Sequence, residues 1–114
     1  MAQNPAKTYE REQIMLAPVA RTLADASSTV VGINERVNII DSTLGVGETA
    51  TLVLPSVDEA NGLTFSFLCQ GAGDLTVSDA TGRKAFSKTT TVADNHIVCS
   101  SNGEFWYSVS ELLA

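Results

Sequence analysis

The sequence has few of the residues on which most enzyme active sites and metal centres depend. It contains one histidine, His96, and two cysteines, Cys69 and Cys99, which lack the CxxC spacing of a zinc site. If the chain around His96 is a strand, His96 and Cys99 point to opposite faces and cannot act together as a nucleophile and its base. P-loop, EF-hand and HExxH motifs are absent. The sequence therefore predicts a protein that is not an enzyme and uses no cofactor or metal.

Long apolar runs are also absent. No segment approaches the roughly 20 apolar residues that a membrane helix needs. The apolar stretch nearest the N-terminus, Ile14–Ala20, is short, contains Pro18 and follows Glu10 and Glu12, whereas a signal peptide starts with basic residues and continues with a longer apolar segment. We expect no membrane association and no export, so that any particle containing the protein is assembled in the host cytoplasm.

Positive charge is scarce in the second part of the chain. The net charge is −6, and because the charges of residues 1–40 cancel, all of the excess negative charge falls in residues 41–114. Apart from His96, the only basic residues there are Arg83, Lys84 and Lys88. A region of this charge repels phosphate backbones, which predicts that the protein does not bind nucleic acid.

The length and composition are those of one globular domain. With 114 residues and a hydrophobic fraction of 44%, the chain can bury a core without metals or covalent cross-links. Cys69 and Cys99 are then either two small buried apolar residues in a reducing compartment or a disulfide between neighbouring strands. The first alternative is the common one for a protein that is not exported.

The first 28 residues differ from the rest because they lack the alternation of a strand. The pattern allows one short helix after Pro18, since proline suits the first helical position and Val19 and Leu23 are spaced i, i+4. We therefore divide the chain into an N-terminal arm, residues 1–28, and a β domain, residues 29–114.

The polar residues at the start of this arm form either an extended arm or a disordered tail. A short apolar patch follows them, at Ile14, Met15 and Leu16. A segment of this kind cannot form its own core, so we expect it to become ordered only against a neighbouring subunit or a larger surface. Ile14, Met15 and Leu16 are its candidate anchors.

From Val30 onward apolar and polar residues alternate, with the period of a half-buried strand. The clearest example is Leu63–Cys69, in which Phe65 and Phe67 lie on the same face as both ends. Turn residues recur about every eight to twelve positions and divide the chain into six or seven short strands. This pattern predicts a mostly β fold, a small antiparallel sandwich or barrel.

The end of the chain carries the strongest turn signal. Asn102-Gly103 suits a two-residue type I′ hairpin turn because both residues tolerate positive φ. In the strand that follows, Phe105 and Tyr107 point one way and Trp106 the other. If Phe105 and Tyr107 join the core, Trp106 lies among serines, where it suits a protein interface or a sugar-stacking site unless the N-terminal segment covers it. Phe105, Trp106 and Tyr107 are therefore candidate interaction residues.

Three segments of the predicted β domain form a recognisable series. They are Thr51–Pro55 with Glu59–Gly62 and Phe65, then Leu75–Val77 with Asp79 and Gly82, then Val98–Tyr107. The series resembles a β module of tailed-bacteriophage virion proteins, which has a TLP strand, a small turn, a strand of alternating aromatics, a VTV strand and a final SxG-x-W hairpin. The match covers about Thr49 to Val109, roughly half of the chain. The motif occurs in tail, fibre and head proteins alike.

This resemblance implies a structural protein of the virion without catalytic residues. We favour the head, because a short chain without repeats or a long helix is too small for a fibre shaft. The expectation is a capsid decoration (cement) protein on the outer head surface. Such proteins are commonly homotrimers that bind the major capsid protein with a terminal arm and stabilise the junctions between capsid subunits.

Two other functions fit the same sequence: a glycan-binding or adhesion module, and a head–tail completion or tail-tip component. A glycan binder is expected to expose Trp106 or Tyr107 in a groove rimmed by carboxylates and amides. A decoration protein is expected to bury its aromatic residues at the trimer axis or against the arm. The placement of these two side chains therefore bears on the choice.

Overall fold

Nine short strands make up the described part of the protein. The computed structural model describes residues 18–40, 44–70, 73–90 and 95–113. The strands are β1 (Val19–Arg21), β2 (Ser27–Val30), β3 (Val37–Ile40), β4 (Thr49–Val53), β5 (Thr64–Cys69), β6 (Asp74–Asp79), β7 (Phe86–Thr90), β8 (Asn95–Ser101) and β9 (Trp106–Leu112). No helix occurs in these ranges. The mostly β fold predicted from the alternation is confirmed.

The strands form two sheets with one core between them. The five-stranded sheet has the order β1-β3-β5-β8-β9, and the four-stranded sheet has the order β2-β4-β6-β7. From β1 to β6 the chain changes sheet at every strand, so neighbours within a sheet run parallel. The pairs β5–β8, β6–β7 and β8–β9 are antiparallel. The sheets are therefore mixed rather than antiparallel, because the chain alternates between layers instead of turning back within one.

The core is built from alternate residues of strands in both sheets. In β5, Phe65, Phe67 and Cys69 point inward and are at most 1% exposed, as the alternation predicts. Leu75 and Val77 of β6 meet them from the opposite sheet and are fully buried. Burying a side chain of this size contributes roughly 1.5–3 kcal/mol, so the core is the main source of stability.

Cys69 and Cys99 are both free thiols within this core. Of the two alternatives that the sequence leaves open, the structure has small buried apolar residues and no disulfide. Burial raises the pKa of the Cys99 thiol to about 12, so that this thiol stays protonated at neutral pH.

The short helix predicted after Pro18 is wrong. Val19–Arg21 is β1 at one edge of the five-stranded sheet, and Ser27–Val30 is β2 at one edge of the four-stranded sheet. An i, i+4 apolar pair favours a helix by only about 0.2–0.5 kcal/mol, whereas pairing with β3 and β4 gives Val19–Arg21 and Ser27–Val30 backbone hydrogen bonds along one side. Residues 19–28, which the sequence assigns to the arm, therefore lie within the β domain.

A buried polar cluster holds β1 against β3. Nε of Arg21 donates to Oδ1 of Asn38 at 2.8 Å, and Nη2 of Arg21 lies 3.1 Å from Oε1 of Glu35. Asn38 is fully buried and donates through Nδ2 to the backbone carbonyl of Glu35. The hydrogen bond from the backbone N–H of Gly32 and, less strongly, the charge of Arg21 lower the pKa of the Glu35 carboxyl.

The β8–β9 hairpin has a longer turn than the sequence predicts. Ser101 pairs with Trp106, which leaves four residues in the turn. Gly103 has a positive φ of 87°, but Asn102 does not. Instead, Oδ1 of Asn102 accepts hydrogen bonds from two backbone N–H groups of the turn. The hairpin is confirmed and the type I′ turn is wrong, because the asparagine side chain stabilises a wider turn.

Candidate functional site

The outer face of the five-stranded sheet carries no formal charge. Strand pairing and alternation place the following side chains on it: Ala20, Val37, Ile39, Thr64, Ser66, Leu68, His96, Val98, Ser100, Tyr107, Ser110 and Leu112. None of them is Asp, Glu, Lys or Arg, although 18% of the chain is charged. Apolar patches of this kind mark surfaces that bind other proteins.

An apolar stripe crosses this face at one level of the sheet. The pairing register aligns, from one edge to the other, Ala20, Ile39, Leu68, His96 and Leu112. Leu68 is 36% exposed and Leu112 is 49% exposed. With neighbouring strands about 4.8 Å apart, the stripe is about 19 Å long. It is interrupted only by the imidazole of His96.

The outer face of the four-stranded sheet has a different composition. Its outward side chains are Ser28, Val30, Thr49, Thr51, Val53, Asp74, Thr76, Ser78, Ser87 and Thr89. Hydroxyl groups dominate it, and those of Thr76 and Thr89 bond to each other across the strands at 2.8 Å. Water and neighbouring hydroxyls can satisfy the hydrogen-bonding capacity of such groups.

The edge strand β9 extends the apolar surface to the rim of the sheet. Three of its residues, Tyr107, Val109 and Leu112, are between 43% and 57% exposed. With seven residues β9 is also the longest of the four edge strands. A shift in the pairing register between Val98 and Cys99 accommodates Val109 as an extra residue and kinks the strand locally.

A groove lies between the edge strands β7 and β9. Its volume is about 290 Å³, and it is lined by Lys84, Ala85, Phe86, Ser87, Lys88, Phe105, Trp106, Tyr107 and Ser108. The ring centroids of Phe105 and Tyr107 lie 6.4 Å apart, edge to face. Nζ of Lys84 lies 6.0 Å from the centre of the Phe105 ring. The groove therefore combines an exposed aromatic pair with positive charge.

Two basic residues of the second part of the chain, Lys84 and Lys88, line this groove, and Arg83 precedes Lys84 in the sequence. Arg83 pairs with Glu104 at 3.4 Å, and Lys88 pairs with Glu111 at 3.4 Å. Lys84 forms no ion pair with any described residue. Its position in an acidic protein leaves one positive charge available to a carboxylate from another molecule.

The structure buries Trp106 and exposes Tyr107, which is the opposite of the arrangement considered from the sequence. Trp106 is 2% exposed, stacks edge to face on Phe65 with centroids 5.5 Å apart, and donates from Nε1 to the carbonyl of Pro55 at 3.2 Å. Tyr107 is 43% exposed and Phe105 is half-buried at the groove. Trp106 therefore belongs to the core, and the role considered for it as an exposed contact residue is wrong. Tyr107 is the one that faces outward.

The pairing register of the β8–β9 hairpin could have shown from the sequence that the Trp106 side chain points inward. Either a two-residue or a four-residue turn sets Trp106 on the same face of the hairpin as Cys99 and Ile97. These two side chains are fully buried. The inward direction of Trp106 then follows from alternation.

The predicted anchors Ile14, Met15 and Leu16 lie outside the described residues, so their role stays a prediction. His96 and Cys99 do point to opposite faces of β8, as the spacing predicts. Nε2 of His96 lies 3.1 Å from Oγ of Ser110 on the outer face, while Cys99 is in the core.

Sequence reasoning missed most of the surface residues. In the sequence, Leu68 differs from its surroundings only as an apolar residue on the otherwise polar face of its strand. Strict alternation along one strand from Val31 predicts that Val37 and Ile39 share its face, but Val37 is 43% exposed and Val31 is buried. The turn at Gly32 separates the two segments, and the inward residues of β3 are Ile40 and the polar Asn38.

Two further classes of site are absent from the described ranges. The described ranges contain no group of three or more His, Cys, Asp or Glu side chains that could hold a metal ion. Nor do they include a helix long and apolar enough to cross a membrane. No protein-family model matches the sequence, and no curated protein matches it.

Proposed function

We propose that the protein is a capsid decoration (cement) protein of a tailed bacteriophage, which binds the outside of the head as a homo-oligomer. The observation that carries this proposal is the charge-free outer face of the five-stranded sheet. The half of the chain that resembles phage virion modules includes β4 to β8 and most of β9. This resemblance supports the proposal that the protein is part of the virion. The apolar face supports the proposal that it attaches to another protein.

In this proposal, the outer face of the five-stranded sheet rests on the major capsid protein. The hydroxyl-rich outer face of the four-stranded sheet then points to solvent. Charged side chains are costly to desolvate at the centre of an interface, and this face presents none. An interface that is both apolar and free of charge can be buried without leaving unpaired ions.

The size of the apolar stripe explains why the protein would act as an oligomer. A stable interface buries about 800 Å² on each partner, and a stripe about 19 Å long on a sheet of short strands provides less than this. Joining several copies makes the later contacts intramolecular and raises the overall affinity without any new type of contact. The proposed homotrimer and the arm anchors Ile14, Met15 and Leu16 would supply this additional binding.

A glycan-binding or adhesion module is the second candidate. The observation that favours it is the groove between β7 and β9, where Tyr107 offers an exposed ring for stacking on a sugar. The rim of the groove is formed by lysines and serines rather than by the carboxylates and amides that typically bind sugar hydroxyls. We therefore rank this function below head decoration.

The test is binding to purified heads of the phage that encodes the protein, after the heads have been stripped of it. Leu68→Lys places a charge in the centre of the apolar stripe, and Thr76→Lys places the same charge at the centre of the opposite outer face. We expect Leu68→Lys to reduce occupancy at least tenfold and Thr76→Lys to leave it unchanged. Circular dichroism would confirm that both variants keep the wild-type fold.

Two outcomes would contradict this proposal. One is wild-type protein that does not bind the heads. The other is a loss of binding in Thr76→Lys that equals or exceeds the loss in Leu68→Lys. Binding of the wild-type protein to host-surface glycans without heads, lost in Tyr107→Ala, would support the second candidate instead.

A further inference from the structure

The five-stranded sheet ends in two different edges. β1 forms one edge and β9 the other, and neither has a second strand neighbour within the described part of the chain. β1 runs parallel to β3 and β5, β8 runs antiparallel to β5, and β9 runs antiparallel to β8. The two edges therefore run in the same direction. A second copy placed beside the first can continue the sheet with β1 next to β9 in parallel.

The edge at β9 carries only part of the usual protection against such pairing, namely the bulge at Val109 and the charge of Glu111. Exposed edge strands are commonly shortened, or carry lysine or proline on the edge. β9 contains neither residue, and its exposed residues include Tyr107, Val109 and Leu112. By contrast, β7 of the four-stranded sheet is shorter and has Lys88 in its middle.

Two residues of opposite charge, Lys84 and Glu35, lie at the ends of the sheet where β9 and β1 begin. Beside the start of β9, Lys84 lies over the Phe105 ring and has no carboxylate partner among the described residues. Beside the start of β1, Glu35 just precedes β3; its Oε1 is engaged by Arg21 and by the backbone N–H of Gly32, and its side chain is 37% exposed. Parallel pairing of β9 with β1 brings these two ends together. A two-fold, antiparallel pairing of β9 with itself would instead place Lys84 beside the far end of β9 in the other copy.

We propose that copies of this protein associate head to tail, with the β9 edge of one copy pairing in parallel with the β1 edge of the next. Backbone hydrogen bonds would continue the five-stranded sheet across the junction. The interface would bury Tyr107 and Val109 and would place Lys84 near Glu35 of the neighbouring copy. Head-to-tail contacts close into a ring when the rotation between copies is a whole fraction of a turn, and the proposed homotrimer needs a rotation of one third of a turn. The inference rests on the proposed assembly and names the surface that builds it.

Engineered cysteines can test the contact in the purified protein. Ala20 on β1 and Ser110 on β9 are exposed on the same outer face, and the native Cys69 and Cys99 are buried and will not compete. The two edges of one copy are four strand spacings apart, or about 19 Å. This distance exceeds the span of about 4.4–6.8 Å between the Cα atoms of a disulfide, so an Ala20→Cys/Ser110→Cys bond can form only between copies.

The first experiment mixes Ala20→Cys protein with a differently tagged Ser110→Cys or Leu112→Cys protein under mild oxidation. Two β9 positions are used because the register along the edge can differ by two residues. We expect a mixed dimer containing one copy of each variant to exceed either same-variant dimer at least tenfold. Ser28→Cys and Ser87→Cys, on the two edges of the four-stranded sheet, serve as the matched control pair and should not cross-link.

A dimer formed by Ser110→Cys alone would overturn the proposal in favour of two-fold pairing through β9. The absence of any cross-link at either β9 position, or equal cross-linking in the control pair, would overturn it as well. Because the experiment uses no phage heads, its failure is distinguishable from failure of the head-binding test. A negative result in the cross-linking experiment would not contradict the proposal that the protein attaches to the capsid.

Discussion

The two sheets of this sandwich share one core but present very different outer faces. The five-stranded sheet exposes an apolar stripe that includes Leu68 and Leu112, without any formal charge. The four-stranded sheet exposes rows of serine and threonine hydroxyls, such as the bonded pair Thr76 and Thr89. Both sheets bury their inner faces equally well, so core packing does not account for the difference. The partner that we propose for one side would account for it.

The edges differ in the same way as the faces. The five-stranded sheet ends in β9, a long strand with exposed apolar residues. The four-stranded sheet ends in β7, a shorter strand whose Lys88 is tied to Glu111. Short length and lysine protect an edge from pairing, whereas a longer edge strand without lysine or proline is more open to it, even with the bulge and the Glu111 charge that β9 carries. The predictions below test the assignment of inner and outer residues in the two sheets, beginning with the largest expected effect.

The largest effect is expected from the contrast between two neighbours on β9. Trp106→Ala should lower the free energy of unfolding by about 3–5 kcal/mol, because it leaves a cavity beside Phe65 and an unpaired carbonyl at Pro55. Tyr107→Ala should change it by less than about 1 kcal/mol, because its ring is largely on the surface. Urea unfolding followed by circular dichroism measures both. Equal losses in the two variants would mean that the inward and outward faces of β9 are assigned wrongly.

A smaller effect is expected from the polar cluster beneath β1. Arg21→Ala should lower the free energy of unfolding by about 1–3 kcal/mol, because it leaves Oδ1 of the buried Asn38 without its donor. Lys88→Ala removes the more exposed pair with Glu111 and should cost less than about 1 kcal/mol. Chemical denaturation of both variants provides the comparison. A larger loss in Lys88→Ala would contradict the role of this cluster in holding the first strand.

A pH dependence is expected from Glu35, whose pKa is lowered in the folded protein. Folding therefore gains stability from this carboxylate above the pKa of the unfolded state, and loses it as the pH falls through the lowered folded value. Glu35→Gln should be less stable than the wild type at pH 6, and the difference should shrink towards pH 3. The melting temperatures of both proteins across this range test it. Parallel curves would show that Glu35 contributes no pH-dependent stability.

The sequence predicts the interior of this fold better than its surface. The long strand β5 has enough alternating residues to reveal that Phe65 and Phe67 face inward. Strands β1 to β3 contain three or four residues each, too few to reveal a face, and so the inward Asn38 and the outward Val37 were not recognised. The sequence also gives no sign that the chain changes sheet at each of its first six strands, because that path depends on the short turns between layers.

The candidate surface was still harder to predict, for a geometric reason. Its stripe brings together residues from five separate strands, including Ile39, Leu68 and Leu112. Each is unremarkable in its own segment, and only the pairing register places them in a row. By contrast, Tyr107 was recognised because three consecutive aromatic residues are conspicuous in a sequence, although the hairpin register was needed to show which of them faces outward.

The central claim is that the protein associates through the rim of its five-stranded sheet, and sedimentation equilibrium tests it most directly. Val109→Lys on β9 and Val30→Lys on β2 are matched variants, since each replaces an exposed valine on an edge strand, one in each sheet. The wild type and Val30→Lys should have a mass that is a multiple of 12.0 kDa, most simply that of a trimer, while Val109→Lys should sediment as a monomer. A wild-type monomer of 12.0 kDa at every concentration, or an oligomer that Val109→Lys leaves intact, would contradict the claim.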